Sequence, residues 1–254
     1  MITFDDVSLT LGDRQILKNI SLDVQAGETR VILGGSGSGK TTILRLILGL
    51  YHPDQGSITV AGQEISTLTE RELFTVRQQM GMVFQSAALF DSLTVRDNVG
   101  YRLWEQRCVP DEEIDRVVLE SLRFVGLEDT LDKMPAELSG GMRKRVGIAR
   151  ALASGAKILL YDEPTAGLDP INTCMIARLI QRLKAKGHTQ IVVTHELDVA
   201  YEVADRLVMI IKGRVLFDGT REELKRSDKA VVREFLEPNK VLPTEWSPLP
   251  ADLG

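Results

Sequence analysis

TRVILGGSGSGKTTILRLILGL, residues 29–50, joins a short apolar run, a glycine-rich loop and a segment with helical apolar spacing. The run Thr29–Leu33 is typical of a buried parallel strand. From Lys40 to Leu50 the apolar side chains recur every three or four residues, which predicts an amphipathic helix. A strand that enters a helix through a short loop begins an α/β unit. The stretch therefore predicts an α/β fold with a mostly parallel sheet.

The loop between this strand and this helix fits the phosphate-binding pattern G-x-x-x-x-G-K-[ST]. Glycine lets the backbone approach phosphate oxygens closely, and the start of the helix adds N–H donors. Lys40 is long enough to reach the β- and γ-phosphates of ATP, and Thr41 offers a hydroxyl to Mg²⁺. A chance loop is the alternative, against which the flanking strand and helix argue. The predicted phosphate-binding residues are Gly34, Gly35, Ser36, Gly37, Ser38, Gly39, Lys40, Thr41 and Thr42.

A second buried strand is predicted at Ile158–Tyr161, and two carboxylates, Asp162 and Glu163, follow it. In open α/β sheets, ligands bind at the carboxyl ends of the strands. We expect Asp162 to hold Mg²⁺, directly or through a water, and Glu163 to orient and deprotonate the water that attacks the γ-phosphate. Two carboxylates can also simply solvate the end of a strand. The phosphate loop is what favours the catalytic interpretation.

Two single polar residues follow other predicted strands. His195 comes directly after Gln190–Thr194, and Gln85 ends the apolar run Met82–Phe84. A lone histidine is usually structural, and a lone glutamine carries no signal of its own. Because ligands bind at strand ends in such sheets, we expect His195 beside the γ-phosphate and Gln85 beside Mg²⁺ or the attacking water.

A second helix start that could bind an anion lies far downstream of the first. Ser139 is followed by Gly140, Gly141 and an apparent helix to Leu152. Such a helix end has free N–H groups and the positive end of the helix dipole. One nucleotide does not need two such ends from one chain. Two chains arranged head to tail would use both, each contributing one end to each ATP.

Composition narrows the class of protein. The formal net charge of −5 disfavours a nucleic-acid partner, because phosphate backbones favour clustered positive charge. No apolar run is long enough to span a bilayer and no secretory signal is visible, so we expect a cytoplasmic protein. Cys108 and Cys174 lie far apart in sequence and predict free thiols rather than a disulfide.

The remaining patterns indicate how the chain is organised. Ile2–Leu11 and Ile16–Val24, separated by a Gly-Asp turn, predict an N-terminal antiparallel hairpin. Strand signals are sparse between about residues 86 and 150, where segments such as Asp111–Val125 have one apolar face, so a helical subdomain inserted into the α/β core is predicted. Residues 238–254 contain four prolines, which predicts an extended tail.

The order of these motifs resembles that of the ABC transporter ATPases over about residues 2–220. Gly34–Thr42 resembles the Walker A loop, Gln85 the Q-loop, Ser139–Met142 the signature, Ile158–Glu163 the Walker B strand with its catalytic glutamate, Ala166–Asp169 the D-loop and His195 the switch histidine. The resemblance implies a P-loop NTPase (RecA-like) core and a homodimer. In that homodimer, ATP lies between the Walker A loop of one protomer and the signature of the other. It therefore implies that Ser139, Gly140, Gly141, Met142 and Asp169 also bind nucleotide.

The same resemblance implies a division of the chain. Residues 1–237 would form the nucleotide-binding domain, with a core at about 1–85 and 156–220 and a helical subdomain at about 86–155. Residues 86–102 would receive a helix from a membrane permease, although internal packing is the alternative. For the tail, 238–254, docking of Trp246 on the partner protomer and disorder are both open.

A finer resemblance is to the Mla/Mce-type lipid-transport ATPases, in Phe84–Val99, Leu138–Arg145 and Tyr161–Ile171. It implies phospholipid transport at the cytoplasmic face of the inner (plasma) membrane, with a multi-spanning permease and an MCE-domain protein as partners. An ABC ATPase for another substrate, such as amino acids or metals, and a non-transport ABC ATPase are the alternatives. The sequence departs from the family at Leu11, where many members have an aromatic residue that stacks on adenine, and at Gly35, a frequent proline position.

Overall fold

The computed structural model describes residues 1–106 and 110–236. Its strands are β1 Ile2–Leu11, β2 Arg14–Val24, β3 Thr29–Leu33, β4 Gln55–Val60, β5 Gln63–Glu64, β6 Met80–Val83, β7 Ile158–Asp162, β8 Thr189–Thr194, β9 Arg206–Ile211 and β10 Arg214–Gly219. Its α-helices are α1 Lys40–Ile47, α2 Glu70–Arg77, α3 Val95–Gln106, α4 Asp111–Val125, α5 Gly140–Ala153, α6 Pro170–Ala185, α7 Leu197–Val203, α8 Arg221–Lys225 and α9 Ala230–Leu236.

The larger sheet has six strands in the order β10-β9-β3-β8-β7-β6. All neighbouring pairs are parallel except β9 and β10, which form an antiparallel hairpin. The central strand β3 is buried along its whole length, as its unbroken apolar run predicts. The predicted α/β fold with a mostly parallel sheet is confirmed.

A second, antiparallel sheet has the order β2-β1-β4-β5. β1 and β2 form the predicted N-terminal hairpin, with Leu11 paired to Arg14 across a turn at Gly12, whose φ is 59°. Inward residues of this sheet, such as Phe4 and Ile58, share one apolar core with α1 and with one face of the parallel sheet. This shared core packs the antiparallel sheet against the parallel one.

Three helices, α3, α4 and α5, lie between β6 and β7 in the chain. Their buried residues, among them Val99, Val118 and Val146, belong to the core on the other face of the parallel sheet. α4 begins after Pro110 and ends at Val125, and the next residue, Gly126, adopts the left-handed conformation that glycine favours. The predicted insertion of a helical segment into the α/β core is confirmed.

The short helices α2 and α8 were absent from the sequence-based expectation. α2 and α8 are each started by a capping box, Thr69 with Glu72 and Thr220 with Glu223. Both helices are too short to show an apolar period, so only the capping pattern could have predicted them. The expectation of an extended tail at 238–254, with or without a docked Trp246, lies outside the described residues, as does Cys108. Within 1–106 and 110–236, none of the helices has the length and apolar character needed to cross a membrane.

Candidate functional site at the carboxyl edge of the sheet

Four neighbouring parallel strands end at one edge of the sheet, and each is followed by a residue or loop singled out above. The register pairs Leu33 of β3 with Thr194 of β8, and Tyr161 of β7 with both Val192 of β8 and Val83 of β6. The segments that follow these strands therefore leave the sheet side by side. They are the glycine-rich loop from Gly34, the Asp162–Glu163 pair, His195 and Gln85.

The glycine-rich loop depends on residues without a side chain. A Cβ at Gly34 would lie 2.3 Å from the carbonyl oxygen of Ile210, so a larger residue cannot fit there. Gly39, which precedes α1, has φ 103° and ψ 6°, a conformation that L side chains disfavour. Gly37 is also at positive φ. The loop therefore holds its backbone curled in front of the helix start.

Lys40 lies inside this curl. Its ammonium group is buried and donates to the carbonyl oxygens of Gly34, at 2.8 Å, and Gly35, at 3.0 Å. The Ser38 hydroxyl oxygen is also buried and has no hydrogen-bond partner among the described residues. An unpaired buried hydroxyl and an ammonium beside exposed glycines form a donor set that suits phosphate oxygens.

Glu163 is the centre of the polar contacts at this edge. Its carboxylate is buried, with Oε1 3.6 Å from the Lys40 ammonium nitrogen and Oε2 2.9 Å from His195 Nδ1. The imidazole of His195 is mostly exposed, so it covers the carboxylate from the solvent side. The structure thus brings together the Lys40 cation, a carboxylate directly after β7 and a histidine directly after β8.

Asp162 lies one residue before Glu163 and contacts the start of α1. The Thr41 hydroxyl donates to Asp162 Oδ1 at 2.9 Å. Burial raises the pKa of the Asp162 carboxyl, although the Thr41 hydrogen bond opposes that shift. A hydroxyl and a carboxylate are oxygen ligands of the type that Mg²⁺ prefers, together with phosphate oxygens and water. The described residues form no group of three or more His, Cys, Asp or Glu side chains that could hold a metal ion.

The second helix start lies where the sequence predicts it. Ser139 caps α5, and its hydroxyl oxygen accepts from the Met142 N–H at 3.3 Å. Gly140 is exposed, whereas a Cβ at Gly141 would lie 2.3 Å from the Asn172 side chain of α6. Within the described part of the chain, no hydrogen bond or ion pair joins this segment to the glycine-rich loop.

The predicted site residues also include Asp169, Thr42 and Gln85. Asp169 caps α6 by accepting from the N–H groups of Asn172 and Ile171, and the hydrogen bonds from Asn172 are the main reason why the pKa of its carboxyl is lowered. Thr42 is half-buried in the first turn of α1, and Gln85 is exposed. Among the described residues, none of these three side chains hydrogen-bonds to the Lys40, Glu163 and His195 group.

A cleft of about 490 Å³ opens beside the glycine-rich loop, which the sequence did not predict. Its walls are Asp13–Ile16, Lys18, Gly35–Ser38 and Ile211–Gly213. None of these residues is aromatic, and Leu11 is not among them. Segments from the β1–β2 hairpin, the loop and the β9–β10 turn meet only in the folded chain, so no local pattern reveals the cleft.

Lys144 is a further polar residue at the site that the sequence did not predict. It is buried on α5, and its ammonium donates to the backbone carbonyl of Glu163 at 3.2 Å. A signal existed, because Gly141, Lys144, Ile148 and Ala151 recur at helical spacing. A lysine on that otherwise apolar helix face could have marked position 144 as a candidate site residue.

Comparisons with known proteins agree with this geometry. A family model described as "ABC transporter" matches residues 17–166, more than half of the chain. A phospholipid transport ATP-binding protein, MlaF, of Haemophilus influenzae is 41% identical over 93% of this chain and 90% of its own length. A probable ribonucleotide transport ATP-binding protein, mkl, of Mycobacterium leprae is 40% identical over 94% of this chain and 69% of its own.

Among solved structures, the ATP-binding cassette MJ0796, a dimer in a post-hydrolysis state with ADP and Pi, is similar. It matches with a TM-score of 0.79 and 34% identity, over 87% of this chain and 98% of that one. The family match, the relatives and the fold agree with the phosphate loop and carboxylates on one sheet edge, and the chain belongs to the ABC transporter family.

Proposed function

We propose that this chain is the ATP-hydrolysing subunit of a transporter that moves phospholipid, and that it works as a pair of copies beneath a separate membrane permease. The observation that supports hydrolysis best is the set of contacts made by the Glu163 side chain. Its buried carboxylate lies between the Lys40 ammonium and His195, at the edge where the phosphate loop ends. A carboxylate held in this way can accept a proton from water beside a γ-phosphate.

The phosphates of ATP bind in the glycine-rich loop, where Gly34–Thr42 supplies backbone N–H groups and the Lys40 ammonium. The nucleoside part lies in the neighbouring cleft, whose walls supply aliphatic and charged groups instead of an aromatic ring. Thr41 and Asp162 would hold Mg²⁺, with Gln85, which follows β6, as a further ligand. The ion, when bound, neutralises charge that develops on the phosphate oxygens.

Glu163 orients the attacking water and takes its proton. His195, 2.9 Å from the carboxylate, fixes the orientation of that group and contacts the γ-phosphate from the solvent side. Gln85 follows β6, next to β7, which suits a residue that positions the water or the metal. Water activation and phosphate binding are thus both assigned to groups at one sheet edge.

Two copies share each ATP. Ser139–Met142 and Asp169 are exposed or half-exposed, apart from Gly141, and they make no hydrogen bond to the phosphate loop of the same chain within the described ranges. They are therefore assigned to the nucleotide of the partner protomer, which the free N–H groups at the start of α5 can bind. A homodimer with two composite sites follows.

Ser139→Arg is expected to block that dimer while leaving the chain folded. The larger side chain would fill the space that the partner's nucleotide needs, yet Ser139 is exposed and lies at a helix end. ATP-induced dimerisation, measured by light scattering, should be lost. Ser139→Ala, which removes only a cap worth about 1 kcal/mol, is the matched control and should still dimerise. An arginine variant that dimerises normally would contradict the assignment.

The proposed nucleotide-binding domain comprises residues 1–237, and the tail comprises 238–254. Within the domain, the core is at about 1–85 and 156–220, and the helical subdomain is at about 86–155.

The permease docks on the segment after β6. There Asn98 is buried and ties down the turn by bonding Phe90, Leu93 and Thr94 backbone groups. Phe90 remains exposed and packs against Tyr101, with ring centroids 4.6 Å apart.

Phe90→Asp with Leu93→Asp is expected to abolish permease binding and transport without unfolding the chain. Neither side chain is fully buried, and the bonds that shape the turn come from Asn98 and the backbone. Pull-down of the permease and the melting temperature are the measurements. Gln63→Asp with Thr67→Asp adds the same charge at exposed positions elsewhere and should bind the permease. Normal permease binding by the Phe90 and Leu93 variant would contradict the docking site.

The proposed location is the cytoplasmic face of the inner (plasma) membrane, with an MCE-domain protein as a further partner. The name of the Haemophilus relative supports phospholipid as the cargo, whereas the mycobacterial name says ribonucleotide. Purification of the tagged chain from detergent-solubilised membranes, followed by mass spectrometry of bound molecules, tests this. Phospholipid with a permease and an MCE-domain protein is the expected result. Transport of ribonucleotide, amino acids or metal by the purified complex would contradict it.

A further inference from the structure

Lys144 contacts the backbone of the proposed catalytic residue, whereas Lys40 contacts its side chain. It is 6% exposed, and its ammonium donates to the Glu163 carbonyl oxygen at 3.2 Å. Lys40 approaches the side chain of Glu163 instead, 3.6 Å from Oε1. In the proposed mechanism Lys40 binds phosphate, so Lys144 is the cation that stays with Glu163 throughout.

The backbone at Glu163 needs such support. Its φ is 48°, in the left-handed region that non-glycine residues rarely adopt, and such a conformation costs about 1–3 kcal/mol. The Glu163 N–H donates to the carbonyl of Val193 at 2.9 Å, which fixes the peptide unit that precedes its Cα. The Glu163 carbonyl, in the following peptide unit, accepts from both the Ala166 N–H and the Lys144 ammonium, at 3.2 Å each. β8, the turn to Ala166 and α5 thus hold the backbone that carries the carboxylate.

The charge of Lys144 is held there at a cost. Burial lowers the pKa of the Lys144 ammonium, while the carboxylates of Glu163, Glu196 and Asp162 oppose that shift. A buried cation is retained where a specific partner compensates for its desolvation. Here the hydrogen-bond partner is the carbonyl of the strained residue, and the nearby carboxylates of Glu163, Glu196 and Asp162 add Coulombic attraction.

We propose that Lys144 is a positioning residue for ATP hydrolysis, which holds Glu163 in its left-handed conformation so that the carboxylate faces the attacking water. This inference rests on the proposed function, because it needs Glu163 to be the base. It also gives α5 two roles: its first turn serves the partner's nucleotide, and its second turn orients the base of its own chain.

Lys144→Met tests the inference, because methionine keeps the length and removes the donor and the charge. A reactive group displaced by about 1 Å can lose about 10²-fold in rate, so kcat should fall by about tenfold to about 10²-fold. The KM for Mg-ATP and the Kd for nucleotide should stay within about twofold of the wild type, because Lys144 touches no predicted phosphate-binding group. Lys144→Arg keeps a charged donor and should restore most of kcat.

Lys157→Met is the matched control. It removes an exposed lysine next to the opposite end of β7 and should leave kcat, KM and the melting temperature unchanged. If the Lys144→Met variant does not fold, Lys144→Gln replaces it. The same loss of kcat is expected, because the shorter glutamine side chain does not reach the Glu163 carbonyl.

Three results would overturn the inference. One is a Lys144→Met variant with wild-type kcat, and another is a loss of kcat matched by an equal loss of nucleotide affinity. The third is failure of Lys144→Arg to recover kcat while the protein is folded. A wild-type chain without Mg-dependent ATP hydrolysis would instead remove the proposed function, and this inference with it.

Discussion

Glu163→Gln is expected to lower the ATPase kcat by about 10²- to 10⁴-fold while nucleotide binding is retained. Glutamine has the same shape as glutamate but cannot take the proton of the attacking water. Its side-chain oxygen can still accept from His195, so the arrangement of the strand ends should survive. Phosphate release gives kcat, and titration with a fluorescent nucleotide gives the Kd.

Glu202→Gln is the control for loss of one carboxylate, because Glu202 is exposed on α7 and its backbone carbonyl, not its side chain, accepts from Gln181. That variant should hydrolyse ATP at the wild-type rate. Near-normal turnover by Glu163→Gln would remove Glu163 as the base. If Glu163→Gln lost both nucleotide binding and turnover, the role of Glu163 would instead be in the folding of the glycine-rich loop.

Lys40→Ala should abolish productive ATP binding. The ammonium of Lys40 lies within the glycine-rich loop, held by the carbonyls of Gly34 and Gly35. Hydrogen bonds to charged groups contribute about 1.5–3 kcal/mol each, so the loss of contacts to two phosphates should weaken binding by about 10²-fold or more. The substitution also leaves the buried Glu163 carboxylate without its nearest cation.

Titration with Mg-ATP and the melting temperature in its presence and absence measure this effect. The wild type should be stabilised by Mg-ATP, because a ligand that binds only the folded state raises the unfolding free energy. Lys40→Ala should show no such stabilisation, whereas Lys157→Ala, at an exposed position, should behave as the wild type. Stabilisation of the Lys40 variant equal to that of the wild type would contradict the assignment of the loop.

The sequence predicts those parts of the fold and site that local chemistry determines. The phosphate-binding pattern of Gly34–Thr41 is contiguous in sequence, and a strand and a helix flank it as the pattern predicts. The Asp162–Glu163 pair and His195 were expected at strand ends because parallel strands align their carboxyl ends. The register of β3, β8 and β7 fulfils that expectation.

Features that depend on contacts between distant segments were not predicted. The positive φ of Glu163 cannot be inferred from its residue type, and the bond from Lys144 appears only when α5 packs beside β7. The cleft beside the loop likewise combines the β1–β2 hairpin with the β9–β10 turn. Tertiary packing, rather than local propensity, creates each of these features.

The molar mass of the Glu163→Gln variant, measured by light scattering with and without Mg-ATP, tests most directly whether two copies share their nucleotides. Because hydrolysis is blocked, the expected result is a single chain without nucleotide and a two-chain particle with Mg-ATP. Adding Ser139→Arg to the same variant should return it to a single chain. A Glu163→Gln variant that binds Mg-ATP yet remains a single chain, alone and with its permease, would contradict the composite site.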